Sequence, residues 1–260
     1  MRIGITGIGG RMGLLLAEEA LAAGHAVAGG TSRNPGQGAY PILSLPALAE
    51  QADVVIDFTH ASTAPEHAAA LAAAGTPWVL GTSGLSSADE AAVEAAARHI
   101  PVCYAPNFGP GVTLLLALAE RMAAALPAED YDAEIVEMHH RQKVDAPSGT
   151  AIWLGRAVAR GRGVALQDVM VSGRDGHTGP RPPGAIGFAA LRGGQVVGEH
   201  TLLFAAGSEQ IALTHRAFDR RLFATGAIRA AGWLVARPAG LYSMADVMGI
   251  AAGQGGVPLP

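Results

Sequence analysis

The opening of the chain leaves it little freedom. Arg2-Ile3-Gly4-Ile5-Thr6 is a short β-like run, followed at once by Gly7-Ile8-Gly9-Gly10-Arg11-Met12-Gly13 and the helix-like Leu14-Leu15-Leu16-Ala17-Glu18-Glu19-Ala20-Leu21. A strand that turns through glycines directly into a helix is the first half of a dinucleotide-binding βαβ unit. The first glycine permits the tight turn, the middle pair lets backbone approach a pyrophosphate, and Gly13 lets helix and strand pack closely. The spacing is GxxGxxG, not the commoner GxGxxG, and an ordinary glycine-rich βα turn is the structural alternative.

Further along, strand-like runs at Asp53–Phe58, Trp78–Gly81 and Val102–Ala105 alternate with helical runs near 63–74 and 86–99. That alternation predicts an α/β fold, an N-terminal Rossmann domain with a doubly wound parallel sheet. Ligands of such sheets collect beyond the carboxyl ends of the strands, which singles out the turns Phe58-Thr59-His60, Gly81-Thr82-Ser83-Gly84 and Ala105-Pro106-Asn107-Phe108. Gly81 and Thr82 allow close approach to a nicotinamide ribose, and Asn107 can turn its amide to the nicotinamide carboxamide. Taken singly, each is also ordinary turn chemistry. After the second strand, placed at His25–Thr31, an acidic residue would grip the ribose of NAD. This chain has Thr31-Ser32-Arg33 there, and a hydroxyl followed by a guanidinium suits a 2′-phosphate, so NADPH is favoured over NADH. Arg33 also opens the loop Asn34-Pro35-Gly36-Gln37-Gly38.

Beyond residue 110 the pattern changes. A helix near 112–125 precedes a strand of alternating character, Glu134-Ile135-Val136-Glu137-Met138-His139. Then comes His139-His140-Arg141-Gln142-Lys143-Val144-Asp145-Ala146-Pro147-Ser148-Gly149-Thr150, leading into Ala151–Val158 with helical spacing. The polar run is therefore a strand-to-helix crossing. A helix start carries unpaired N–H groups and partial positive charge, so Gly149 and Thr150 can offer amides to a carboxylate. His139 and Lys143 are four apart, on one side in either regular period, and suit acid catalysis on an anionic, reducible small molecule. A solvated basic loop is the competing reading. Adjacent His139 and His140 point apart in a strand, and no metal site is expected.

Three β-like runs follow, Ile186–Leu191, Val196–Phe204 and Gln210–His215, separated by short turns such as Arg192-Gly193-Gly194. They predict an antiparallel or mixed sheet, hence a smaller α+β substrate domain. Gly173–Gly184 reads as a long irregular loop. From Asp219 a final amphipathic helix is expected to pack back on the first domain. The division is thus 1–110 plus 219–260 for the dinucleotide-binding domain, and 111–218 for substrate binding and oligomerisation.

The chain has 260 residues, half of them apolar, with only 5% aromatics, so its cores must be aliphatic. A net charge of −4 argues against nucleic-acid or anionic-membrane partners. One cysteine, Cys103, excludes an intrachain disulfide and fits a reducing cytoplasm; Pro101-Val102-Cys103-Tyr104 reads as a buried strand. No apolar run reaches the ~20 residues of a bilayer span.

The stretch Glu137–Ala151 resembles the signature of the dihydrodipicolinate (4-hydroxy-tetrahydrodipicolinate) reductase family of bacterial diaminopimelate and lysine biosynthesis. The glycine turn, Ile56-Asp57-Phe58-Thr59, Gly81–Gly84, Ala105–Phe108, Gly176-His177-Thr178-Gly179 and Gly198-Glu199-His200-Thr201 are similar to it as well, so the resemblance covers nearly the whole chain. It implies hydride delivery from NADPH or NADH to a cyclic dicarboxylate after loss of its 4-hydroxyl as water. It implies His139 as proton donor/acceptor and Lys143 as proton donor, with His140, Gly149 and Thr150 on substrate carboxylates. For the cofactor it implies Gly7, Ile8, Gly9, Gly10, Arg11 and Met12 at the pyrophosphate and Arg33 at the adenosine phosphate. Gly81, Thr82 and Ser83 would meet the ribose, and Ala105, Pro106, Asn107 and Phe108 the nicotinamide. A homotetramer assembled through the smaller domain's sheet is implied too. The rival readings are another Rossmann oxidoreductase acting on an anionic carbonyl or imine, and a nucleotide-sensing module without turnover.

Overall fold

The computed structural model describes residues 1–33, 39–105 and 107–250; Pro106 and the loop Asn34–Gly38 lie outside them. Two compact units result, one of Met1–Pro110 with Arg221–Gly249, the other of Gly111–Arg220.

In the first unit β1 (Arg2–Thr6) turns into α1 (Arg11–Ala22), followed by β2 (Ala26–Gly30). Next come α2 (Leu45–Gln51), β3 (Val54–Asp57), α3 (Ala64–Ala74), β4 (Trp78–Leu80), α4 (Ser87–Ala97) and β5 (Pro101–Tyr104). Local chemistry sets several boundaries. Ser44 caps α2 with Pro46 just inside, Gly75 closes α3 in the left-handed conformation, and Ser86 with Asp89 forms a capping box on α4.

The second unit begins with α5 (Pro110–Ala125), then β6 (Asp132–His139), α6 (Gly149–Gly161), the one-turn α7 (Leu166–Val169) and β7 (Met170–Ser172). It ends with β8 (Ile186–Arg192), β9 (Gly198–Ala205) and β10 (Gln210–Ala217). Its five-stranded sheet runs β10-β9-β6-β8-β7. β6 pairs with β8 in parallel and with β9 antiparallel, so the sheet is mixed, as expected. The turn at Arg192-Gly193-Gly194 makes no hairpin, however, because β6 lies between β8 and β9. Instead the turn crosses the end of β6, with the Gly193 N–H donating to the His139 carbonyl and Arg141 N–H to that of Gly194. Ile135, Leu154, Val158, Ile186, Phe188, Leu202 and Phe204 form the core under α6.

The chain then returns to the first unit through α8 (Arg221–Leu234), β11 (Gly240–Tyr242) and α9 (Met244–Met248). The amphipathic helix expected from residue 219 is therefore not the last element. β11 is only three residues long, too short for a period to register, yet it pairs with β5 and completes the parallel sheet β11-β5-β4-β3-β1-β2. Ile3, Ile5, Ile56, Val79 and Cys103 from the strands bury against Leu16, Ala20, Ala227, Ala231 and Leu234. Alanines and glycines at the contacts let helices approach closely, which is how a chain poor in aromatics fills this volume. Cys103 is fully buried in β5 as expected, and burial pushes its thiol up to about 12.

The turn after β1 shows why glycine is needed there. Gly7 has φ 66°, and a Cβ on Gly13 would overlap the Gly7 carbonyl and the Ile8 backbone. The Ile8 N–H donates to the Thr31 carbonyl at 3.0 Å and Gly10 N–H to that of Gly7 at 2.9 Å, so the turn is braced against the end of β2. Gly13→Ala should lower the unfolding free energy of the full chain by about 1–3 kcal/mol, since backbone and not a yielding side chain meets the new methyl. Urea unfolding monitored by circular dichroism checks this; unchanged stability would contradict it.

Candidate active site

The inward face of β6 changes chemistry along its length. Period two turns Ala133, Ile135, Glu137 and His139 toward α6, so an apolar core face continues into a carboxylate and an imidazole. The neighbouring strands add matching groups, His200 of β9 opposite Glu137 and Arg192 of β8 opposite His139.

Glu137 is the hub. It is 1% exposed, and four donors converge on it. Its Oε2 accepts from His139 Nδ1 at 2.6 Å and from Arg192 Nη1 at 2.8 Å. Its Oε1 accepts from Arg192 Nη2 at 2.8 Å and from the Ser148 N–H at 3.1 Å. Burial alone would raise the carboxyl's pKa, but the Arg192 fork, His139 and the Ser148 amide together hold it below the usual range. Glu137 is thus an anion, which accepts only, and His139 must carry its proton on Nδ1.

His139 is itself buried, and its Nε2 faces Gly198, where an added Cβ would sit 3.0 Å away. Burial pushes its pKa down; Glu137 works against that, and the charges of Lys143 and Arg192 add to it. The resting imidazole is neutral. The His200 ring meets His139 edge-on with centroids 5.1 Å apart, and its Nε2 lies 3.0 Å from the Ser148 hydroxyl. Ser148 also caps α6 through the Ala151 N–H. Burial, with His139 next, lowers His200 to about 3.

Between β6 and α6 the backbone is neither strand nor helix, so the regular-period argument for placing His139 and Lys143 together does not describe this segment. A turn does it instead: Lys143 N–H donates to the His140 carbonyl, and the Lys143 charge is felt at both His139 and His200. Its Nζ lies 2.9 Å from both Asp145 carboxylate oxygens. His140 Nε2 lies 3.3 Å from Arg220 Nη2, while its buried Nδ1 has no protein partner among the described residues. Gly149 and Thr150 form the first turn of α6, as the sequence predicts, with Gly149 exposed. Glu137, Arg192, Ser148, His200, Asp145 and Arg220 were not singled out from sequence as site residues. Glu137 could be found two before His139, on the same strand face, and Asp145, Ser148 and His200 lie within runs that resemble the family, whereas Arg192 and Arg220 carry no such signal.

In the first unit, Gly9, Gly10 and Arg11 are exposed at the start of α1, whereas Ile8 is buried in the core. Gly10 caps the helix without a side-chain bond, and the first turn holds no acid. The first helix bond is Leu14 N–H to the Gly10 carbonyl, which leaves Arg11, Met12 and Gly13 without intrahelical acceptors. Arg33 is exposed just past β2. Gly81 abuts the Phe58 ring, Thr82 is buried with no protein partner for its hydroxyl among the described residues, and Ser83 is exposed. Ala105 and Phe108 are buried, and Asn107 Oδ1 accepts from the Gly109 N–H at 2.8 Å. Buried Asp57, at the end of β3, binds His67 Nδ1 at 2.6 Å and the Thr59 hydroxyl at 2.6 Å, fixing the turn after that strand. In the sequence Asp57 stands out only as part of the family-like run Ile56-Asp57-Phe58-Thr59, with nothing to show that it anchors the turn.

Family models described as "Dihydrodipicolinate reductase, N-terminus" and "Dihydrodipicolinate reductase, C-terminus" match residues 1–108 and 111–248. The chain belongs to the dihydrodipicolinate reductase family. It is therefore an oxidoreductase with a Rossmann-type nucleotide unit, and the expected fold class holds. It is similar to the 4-hydroxy-tetrahydrodipicolinate reductase of Granulibacter bethesdensis, 67% identical with 96% of this chain and 97% of the relative covered. That of Gluconacetobacter diazotrophicus is 60% identical, with 96% and 98% covered. A dipicolinate-bound dihydrodipicolinate reductase from Paenisporosarcina sp. TG-14 shares the fold with TM-score 0.76, 24% identity, and 94% of this chain and 97% of that one covered.

The buried histidines make stability pH-dependent. His200 titrates normally near 6.5 but is lowered to about 3 in the fold, so from 6.5 downward the unfolded chain takes up a proton the folded chain refuses. Stability should fall with pH in that window, before carboxylates titrate, and His200→Gln should partly flatten the fall. Denaturation midpoints at about pH 7 and about pH 5 test this, and a variant keeping the parent slope would contradict it.

Proposed function

We propose that the chain reduces 4-hydroxy-tetrahydrodipicolinate, with loss of the 4-hydroxyl as water, to tetrahydrodipicolinate at the expense of NAD(P)H. Family membership over the whole length carries the substrate class. The observation in the molecule that supports it is the convergence of a neutral, anchored imidazole, a lysine and an open helix start on one strand end.

The first unit suits a dinucleotide. The uncapped start of α1 and the Gly7 turn offer backbone donors, and the tight packing at Gly13 keeps that turn in place. Gly9, Gly10, Arg11 and Met12 would hold the pyrophosphate, with Gly7 shaping the turn and Ile8 bracing it from the core. Arg33 would meet the adenosine phosphate, Gly81, Thr82 and Ser83 the ribose, and Ala105, Pro106, Asn107 and Phe108 the nicotinamide. When bound, the cofactor supplies the hydride.

In the second unit, His140 and the Gly149 and Thr150 amides would hold carboxylates. An anionic ligand there favours the charged imidazole, so His139, neutral at rest, exchanges a proton at Nε2 as the ligand arrives. Lys143 supplies a proton. The Glu137 carboxylate keeps the exchanging nitrogen of His139 on the side away from the hub. We further read residues 1–110 with 219–260 as the dinucleotide-binding part and 111–218 as the substrate and assembly part. NADPH is favoured by Arg33 and the absence of an acid beside it. A cytoplasmic homotetramer joined through the mixed sheet, without nucleic-acid or membrane partners, completes the reading. Among the described residues no helix is long and apolar enough to cross a membrane.

A steady-state assay with freshly generated substrate decides the central claim: nucleotide oxidation that requires the substrate is expected, and none with either nucleotide sinks it. Lys143→Ala should cut kcat by on the order of 100-fold while leaving NADPH affinity within about twofold, because the lysine acts on substrate. Equal collapse of cofactor binding would remove that role. Arg33→Ala should raise KM for NADPH about tenfold and leave NADH nearly untouched, the worth of one charge-assisted phosphate contact. A parallel loss with both nucleotides would contradict it.

A further inference from the structure

Glu137 lies behind the groups assigned to the chemistry, yet it contacts both halves of them. One oxygen takes the His139 Nδ1–H, while the other takes the N–H of Ser148, the residue capping the α6 turn that carries Gly149 and Thr150. Arg192 closes the arrangement from the far side with a fork of two 2.8 Å bonds, and its Nη2 also donates to the Asp145 carbonyl at 2.7 Å. The strand end, the connecting loop and the helix start thus share one buried anchor. We propose that Glu137, held by Arg192, is the positioning residue of the reduction, fixing His139 with its proton on Nδ1 and its lone pair on Nε2 and setting the α6 amides in register with it.

This rests on the reading of His139 as the proton-exchanging group, but its physical core does not depend on turnover. A carboxylate has acceptor sites for four donors, and all four are used here. Glutamine has the same shape and only one acceptor oxygen. With its NH₂ where Oε2 was, it confronts both His139 Nδ1–H and Arg192 Nη1–H, and His139 relieves the clash by moving its proton to Nε2. Turned the other way, it confronts the Ser148 amide and Arg192 Nη2–H instead. A neutral replacement therefore either reverses the tautomer or loosens the α6 start. The charged or titratable groups facing His139 are Glu137, Arg192, Lys143 and His200, so only the first changes in this substitution.

The test is ¹⁵N NMR of histidine-labelled full-length protein, with Glu137→Gln and His139→Gln made alongside, the latter to assign the signal. The parent should show His139 with a protonated Nδ1 and an unprotonated Nε2 at neutral pH. An Nε2–H tautomer in the parent overturns the proposal, whether or not the reductase reading holds, and this result needs no variant to fold except for assignment. Glu137→Gln should lower kcat by about 10–100-fold, the usual cost of losing an orienting partner, and should displace the acid limb of the kcat pH profile. Its NADPH affinity should stay near the parent's, while its melting temperature falls because buried donors lose their acceptor. Glu137→Asp, which retains the charge, should recover part of the rate. A folded Glu137→Gln protein with parental tautomer, rate and pH profile overturns the proposal. If the parent protein lacks turnover with the proposed substrate, the functional reading fails, and the NMR result still decides the positioning role.

Discussion

A carboxylate taken out of water is costly unless every one of its acceptor sites is filled, and Glu137 meets that condition with donors from three separate parts of the chain. Arg192 arrives at the end of β8, Ser148 at the start of α6, and His139 from the same strand. Removing any one leaves buried charge short of a partner, so the three segments are held to each other far more strictly than their exposed surroundings would require. The long loop after β7 is fastened on the same principle with less burial: Arg174 and Arg181 both bind Glu134, and Arg181 also takes the carbonyls of Ala133 and Ala185.

The two units solve different recognition problems with different material. In the first, glycines let β1, α1 and β2 close on one another and leave the start of α1 without a side-chain cap. Side-chain anchors such as Asp57 serve there to hold turns. In the second, a polar cluster is inserted into a continuing apolar face, and its ionisation states are set by burial together with the Arg192 and His139 contacts of Glu137, the Ser148 amide and the Lys143 charge. On the proposed reading, the generic binding of a nucleotide and the particular chemistry of a small dianion are in this sense built from backbone and side chains respectively.

Much of this is legible in the sequence. The glycine turn and the alternation of strands and helices specify a parallel sheet because each signal is local, and the mixed second sheet follows from strand-like runs without helices between them. The stretch from His139 to Thr150 announces itself because its unusual side chains are contiguous. What escaped notice is what sheet pairing brings together: Arg192 and His200 reach Glu137 only because β8 and β9 flank β6, and neither spacing nor period encodes that order. α2 and β11 were missed because seven and three residues are too few to show a period. No regular repeat encodes the position of Lys143, since a turn at His140 brings its charge to His139.

The single thiol offers a practical corollary. Cys103 sits fully buried in the second strand of a parallel sheet, wrapped by aliphatic side chains and protonated far past neutrality. Thiol-directed alkylating reagents need a thiolate within reach, so the native protein is silent toward them. A cysteine engineered anywhere on its exterior would therefore be the sole handle for a fluorophore or spin label, with no background to remove first.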